Sequence, residues 1–259
     1  MDTARPPFDP AAELQRCVEV LFRHWTLILP TAVASMLMMV IVVVAVISSV
    51  ATLVAALVAA DHHTALAGAG VASAAGIGLL FFGLALIVFA VAVAMTLHAA
   101  PEVLQDREPD FNASFTVAMG RFGQFLLLGL ICTLFVLALC VTVVGIIALP
   151  IVGYFLMYAP AAVIIGGEGA VQSMITSARI ARERVPESIV AWIGMLLVWA
   201  AAMIAHGIAA YIPVLNLIVG FAIGGFTAAY GELVRTRFYL ALRVPGTVST
   251  LSAPPATTG

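Results

Sequence analysis

Lysine is absent from this 259-residue chain, and charge of either sign is scarce. All eleven basic residues are arginine, thirteen residues are acidic, and charged residues make up only 9% of the total, against roughly 25% in soluble domains. So little charge cannot clothe a water-facing surface. Without lysine there is no phosphate-gripping P-loop, and no basic face is available to hold nucleic acid. There is no G-x-S-x-G elbow, no H-E-x-x-H pair and no paired carboxylates inside an apolar run. The three cysteines, Cys17, Cys132 and Cys140, show neither C-x-x-C nor Cys/His ligand spacing, which argues against a disulfide framework or a zinc site. No enzyme, cofactor or metal is expected from such a sequence.

What the chain does contain is apolar sequence: 63% hydrophobic residues and a mean hydropathy of +1.16. Six segments approach or exceed the roughly 20 residues that cross a bilayer: about 26–50, 76–98, 125–148, 150–166, 189–210 and 213–234. Span one could run on through Ala51–Ala60, which would make it tilt, project outward or break near Ser48–Ser49. Breaks are expected between Gly145 and Pro150 and between Tyr211 and Pro213, and Pro160 can kink span four. Such tight connections make antiparallel hairpins. Residues 1–24 mix Asp2, Asp9, Glu13 and Glu19 with Arg5, Arg16 and Arg23 and do not read as a cleavable signal.

Every arginine falls before span one, between two and three, between four and five, or after six. The remaining connections hold none. The positive-inside rule then places those segments and both termini in the cytoplasm. Twelve of the thirteen acids share that side, and only Asp61 faces outward.

The segment before each odd-numbered span reads as an amphipathic helix, at about 11–25, 112–124 and 170–185. Leu14, Cys17, Val18, Leu21 and Trp25 form the first apolar stripe. Phe115, Ala118, Met119 and Phe122 form the second, with Asn112 as a plausible N-cap. Val171, Met174, Ile175, Ala178 and Val185 form the third. Each turns into its span, at Arg23–Trp25, Gly120–Phe122 and Arg184–Pro186. The pattern reads either as three repeats of an interfacial helix feeding a hairpin, or as the ordinary flanks of a polytopic protein.

The fold expected is therefore an all-α integral membrane protein: six transmembrane helices in three hairpins with amphipathic cytoplasmic interfacial helices. They form one membrane domain over 1–244, with a disordered cytoplasmic tail at 245–259.

Residues 149–200 carry a resemblance. Leu149-Pro150, Tyr154-Phe155, Ala159-Pro160-Ala161-Ala162-Val163-Ile164-Ile165, Glu168, Ser173-Met174-Ile175-Thr176-Ser177 and the arginine-rich turn before Trp192 resemble a broad group of bacterial six-helix membrane proteins. That group includes the membrane domain attached to some glycerophosphoryl diester phosphodiesterases. Pro109 to Phe115, running to Arg121-Phe122, is similar to the group's earlier interfacial helix. The sequence departs from the group at Pro150-Ile151, where Pro-Gly is usual, and at Ser177-Ala178, where Ser-Trp is typical. The resemblance implies a bacterial inner-membrane location and no catalysis, because the phosphodiesterase chemistry belongs to a separate soluble domain.

Polar residues within spans are the candidate sites. His206 near the outer end of span five and Asn216 near that of span six read as a small polar site or as a hydrogen-bonded structural pair. His98 lies close to Glu102, and Asp61, His62 and His63 share an outer loop; both groups read more plainly as interfacial or solvated residues than as metal ligands. Glu232 lies at the inner end of span six with Arg235 and Arg237 nearby, and pairing at i,i+3 is its plain explanation. Gly220, Gly224 and Ala228 form a small-residue packing stripe, serving a homo-oligomer or an intrachain contact. The lipid bilayer is the one partner the sequence names, and nucleic acid is excluded. The functional expectation is a non-enzymatic scaffold, accessory or envelope-maintenance factor. The alternative is a transporter for a small apolar or zwitterionic substrate.

Overall fold

Prolines mark where helices begin. A computed structural model describes residues 8–59, 64–209, 211 and 213–243, and among these the chain is helical with no strand. The helices are α1 (Pro10–Arg23), α2 (Leu29–Ala59), α3 (Thr64–Val103), α4 (Phe111–Cys140), α5 (Val143–Leu156), α6 (Ala159–Ile164), α7 (Ala170–Glu183), α8 (Val185–Ala209) and α9 (Pro213–Leu242), with a 3-10 turn at Trp25–Ile28. Pro10, Pro30, Pro160, Pro186 and Pro213 each occupy the first or second position of a helix. There the missing N–H has no helical partner to lose, and the fixed φ already suits the helix.

Among the described residues, five helical stretches are long and apolar enough to cross a membrane: Trp25–Val58, Gly70–Val103, Phe111–Cys140, Ile147–Ile164 and Val185–Ala209. The 31 residues of α2 measure about 46 Å at 1.5 Å per residue, more than the roughly 30 Å of a hydrocarbon core. No break occurs at Ser48–Ser49. Ser49 donates to the Ala74 carbonyl (3.2 Å) and Thr52 to the Ser48 carbonyl (2.7 Å), so these hydroxyls are satisfied without interrupting the helix.

Other boundaries differ from the sequence expectation. The turn between α4 and α5 lies at Val141–Thr142, ahead of Gly145. Thr142 caps α5 by accepting from the Gly145 amide (2.9 Å), and a Cβ on Gly145 would collide with the Leu139 carbonyl. Gly145 is thus needed for close backbone approach inside α5, just past the turn. Asp110, not Asn112, caps α4; its carboxylate accepts from the Asn112 and Ala113 amides (2.9 and 3.1 Å). Nor does the chain turn at Gly120–Phe122, because α4 continues through it. The first and third junctions do turn, and in the same way. Both α1 and α7 have 14 residues, ending at His24 (φ −112, ψ 58) and Arg184 (φ −126, ψ 54).

Burial is concentrated at the arginine-bearing end. Leu97, Val103, Tyr158, Leu233, Phe238 and Tyr239 are all fully buried there, while Val40, Val43, Ile47, Val54 and Val58 along α2 are exposed. A row of exposed aliphatics on a water-soluble protein would be an aggregation surface; on a helix of this length it suits lipid. First and last helices meet at this end. Thr31 Oγ1 is shared between the Ile28 and Gly225 carbonyls (3.0 and 3.1 Å), and a Cβ on Gly225 would lie 2.8 Å from that of Ala32. Phe8 packs edge-on against Phe238 (5.3 Å).

The break between α5 and α6 is stitched by α7. Pro160 has no N–H, and its ring would clash with the Leu156 carbonyl of a continuous helix. Ser177 fills the interruption, donating to the Phe155 carbonyl (2.7 Å) and accepting from the Tyr158 amide (3.0 Å). The Tyr158 hydroxyl donates to Ser188 (3.1 Å). Ser177→Ala should leave the buried Tyr158 amide without a partner and lower stability by roughly 1–3 kcal/mol, read as reversible unfolding in mixed micelles. Unchanged stability would mean that the break is held elsewhere.

Candidate functional site

The polar groups gather at the arginine-bearing end. Glu13 of α1 and Arg237 of α9 form a two-pronged pair, with Nε and Nη2 each 2.7 Å from a carboxylate oxygen. The Arg237 hydrogen bond holds the Glu13 carboxyl below its ordinary value near 4.5, against the opposing effect of burial. Beneath the pair lies Cys17, fully buried, its thiol pushed up to about 12 chiefly by desolvation and by Glu13. A thiol so shifted is not a nucleophile at neutral pH, so Cys17 serves as a small apolar residue.

A second group joins α1 to the turn after α3. Arg23 donates to Asp106 (2.9 Å), and His24 Nε2 stands 3.5 Å from the same carboxylate. The Arg23 hydrogen bond lowers the Asp106 carboxyl, but the pair is largely exposed and contributes little to stability. Asp106 itself takes a positive φ of 55°.

A third group surrounds the end of α6. Arg121 of α4 donates to the Val163 and Ile164 carbonyls (3.0 and 2.5 Å), two of the groups every helix C-terminus leaves unpaired. Gly167 turns away with φ +71°, its Cα side facing the Arg121 guanidinium, and Gln124 accepts from the Ala170 amide at the start of α7 (3.0 Å). The face of α9 carrying Glu232, Arg235, Thr236 and Tyr239 is buried or nearly so. Glu232 pairs with Arg235, while Glu232 Oε2, Arg235 Nε, Thr236 Oγ1 and Tyr239 Oη have no hydrogen-bond partner among the described residues.

The residues singled out from sequence are placed as follows. His206 packs against α9, its Cε1 standing 3.0 Å from where a Cβ on Gly220 would lie. Asn216 is in α9, but its side chain lies outside the described residues, as do Asp61, His62 and His63. Gly224 faces Ser35 of α2, 3.8 Å from a notional Cβ, and Ala228 is half-buried one turn further on. Gly220 and Gly224 thus both meet helices of their own chain. His98 Nδ1 lies 3.1 Å from Ser114 Oγ, and Glu102 accepts from the Asp110 amide (3.0 Å). Of the two arginines considered for Glu232, Arg235 is the partner; Arg237 goes to Glu13.

No family model, curated protein or solved structure matches this chain. The site must therefore be read from its own chemistry. Among the described residues, no three His, Cys, Asp or Glu side chains converge to hold a metal ion. Carboxylates face guanidinium groups, and guanidinium groups face helix-end carbonyls. Such an arrangement fixes helices to one another at the arginine-bearing end.

Glu13–Arg237 has a signed pH dependence. Because the folded-state carboxyl is lowered, its stabilisation is present above the ordinary value and lost as pH falls through the folded one. Glu13→Gln should cost roughly 1–3 kcal/mol at neutral pH. The gap from wild type should close as pH falls well below 4.5. Paired melting curves at neutral and acid pH check this, and a gap that persists in acid would show that the carboxylate charge is not what matters.

Proposed function

We propose that this chain is a six-span protein of a bacterial inner membrane, with both termini cytoplasmic, acting as a non-enzymatic scaffold or accessory factor at the inner leaflet. The observation that carries the reading is the way α7 is turned. Its small residues, Ser173, Thr176, Ser177 and Ala181, are buried against the protein, while Val171 and Ile175 are exposed. A helix beside water would put those faces the other way round. An outward apolar stripe ending in Arg179 and Arg182 suits an interfacial helix sunk into the headgroup layer. On α1, Phe22 and Trp25 are exposed (69% and 60%) although Cys17, Val20 and Leu21 are buried, which supports the same placement. Phe115 and Met119 at the start of α4 are also exposed.

The sixth span is α9, a 30-residue helix packed against α8. With it, the positive-inside rule assigns every arginine-bearing segment of the sequence to one side. The resemblance of residues 109–200 to bacterial six-helix membrane domains favours the same count. A scaffold is preferred to a transporter because two clefts open between helices near the membrane, one walled by Leu29, Val33, Leu37, Val91 and Met95, the other beside α7, are lined almost wholly by apolar side chains. A polar cleft, around Gln15, Arg16, Glu19, Arg23 and Asp106, lies on the arginine-bearing surface.

The orientation is checked by Thr64→Cys in a background without Cys17, Cys132 and Cys140. An impermeant thiol reagent should label it in intact spheroplasts, and labelling only after lysis would reverse the topology. Cross-linking in native membranes should recover a stoichiometric companion protein, whereas saturable solute uptake into proteoliposomes would replace the scaffold with a transporter.

A further inference from the structure

The cavity beside α7 has a definite chemical shape. It is an open cleft of about 500 Å3 between α5, α7 and α8. Its walls are Pro150, Ile151 and Phe155 from α5 and Ile189 and Trp192 from α8, and among the described residues Arg182 is the charged one that lines it. Tyr154 crosses one side and donates to the Ala181 carbonyl (2.8 Å), leaving its ring to the cavity and its hydroxyl satisfied. The wall is close-fitting: a Cβ on Gly153 would lie 2.8 Å from the Trp192 ring.

Arg182 lies where an anion would be met. At 100° per residue it projects about 20° from Val171 and Ile175, so it ends the stripe that faces away from the protein. It is exposed, and among the described residues no carboxylate lies within ion-pairing distance of it: the nearby pair joins Arg184 to Glu187 (4.0 Å), and Glu183 points about 100° away round the helix. Val185, the first residue of α8, also lines the cavity, and the positive end of a helix dipole favours negative charge. Trp192 lies seven residues further along α8, about 10 Å deeper. A cation at the mouth and apolar walls reaching into the hydrocarbon are complementary to a single class of molecule.

We infer that the α5–α7–α8 cavity seats one anionic phospholipid, its phosphate at Arg182 and an acyl chain against Ile151, Ile189 and Trp192. A zwitterionic headgroup fits less well, because Arg179, one turn back on the same face, would oppose its ammonium group. The seat deepens the scaffold reading and rests on α7 lying at the membrane surface. It does not depend on which side of the membrane that surface faces, so thiol labelling and lipid retention can fail separately.

Native mass spectrometry tests it. The full chain, purified in mild detergent, is incubated with mixed micelles holding equimolar phosphatidylglycerol and phosphatidylcholine of identical acyl chains. Wild type should retain one phosphatidylglycerol at least fivefold over phosphatidylcholine. Arg182→Gln should bring the ratio near one, and Arg182→Lys should keep most of the preference. Ile189→Trp, which fills the cavity from an exposed position, should reduce retention of both lipids several-fold; Ile151→Trp serves if that variant does not elute as a single species. Equal retention of the two lipids by wild type would overturn the seat. So would a preference that survives both Arg182→Gln and cavity filling.

Discussion

One serine hydroxyl sets which face of α7 is turned outward. Ser177 serves the Phe155 carbonyl and the Tyr158 amide at once, two backbone groups at the break that precedes Pro160. In an apolar setting an unsatisfied backbone group costs several kcal/mol, so a broken helix persists only where a neighbour supplies what the backbone lost. Here the neighbour is α7, and the debt fixes which way α7 faces. Its hydroxyl-bearing side must turn inward, and its apolar stripe is left to turn outward.

Arginine plays the matching part at the helix ends. Arg121 covers carbonyls at the end of α6, and Arg237 clasps Glu13 across the first and last helices. Guanidinium suits this work better than an ammonium group would. It is planar, offers several donors in a fixed fork and sheds water more readily. The complete absence of lysine fits a chain in which Arg121 and Arg237 are engaged by carbonyls and a carboxylate.

Much of this was legible in the residues. Apolar run lengths indicated membrane-spanning helices, of which five stand out among the described residues. The i,i+3 spacing of Glu232 and Arg235 announced their pairing. Helix punctuation was harder to read. Pro150 looked like a boundary but sits inside α5, while the true turn is set by a threonine cap at Thr142. Asp110 and Asn112 are both good caps by type, and only local backbone geometry separates them. The Glu13–Arg237 and Arg121–Ile164 contacts join residues far apart in sequence, so no local pattern could reveal them. The α7 stripe was visible in sequence, but which of its two faces met the protein depended on Ser177 finding the break in α5.

The seam between α2 and α9 bears on how the molecule is made. Thr31 reaches a carbonyl of Gly225, and Ala32 packs where Gly225 lacks a side chain. Thr31 and Gly225 are 194 residues apart, so α2 is synthesised long before α9 and its face stays uncovered in the interval. A product cut short ahead of α9 leaves α1 and α2 without the groups that Glu13 and Thr31 were shaped to meet.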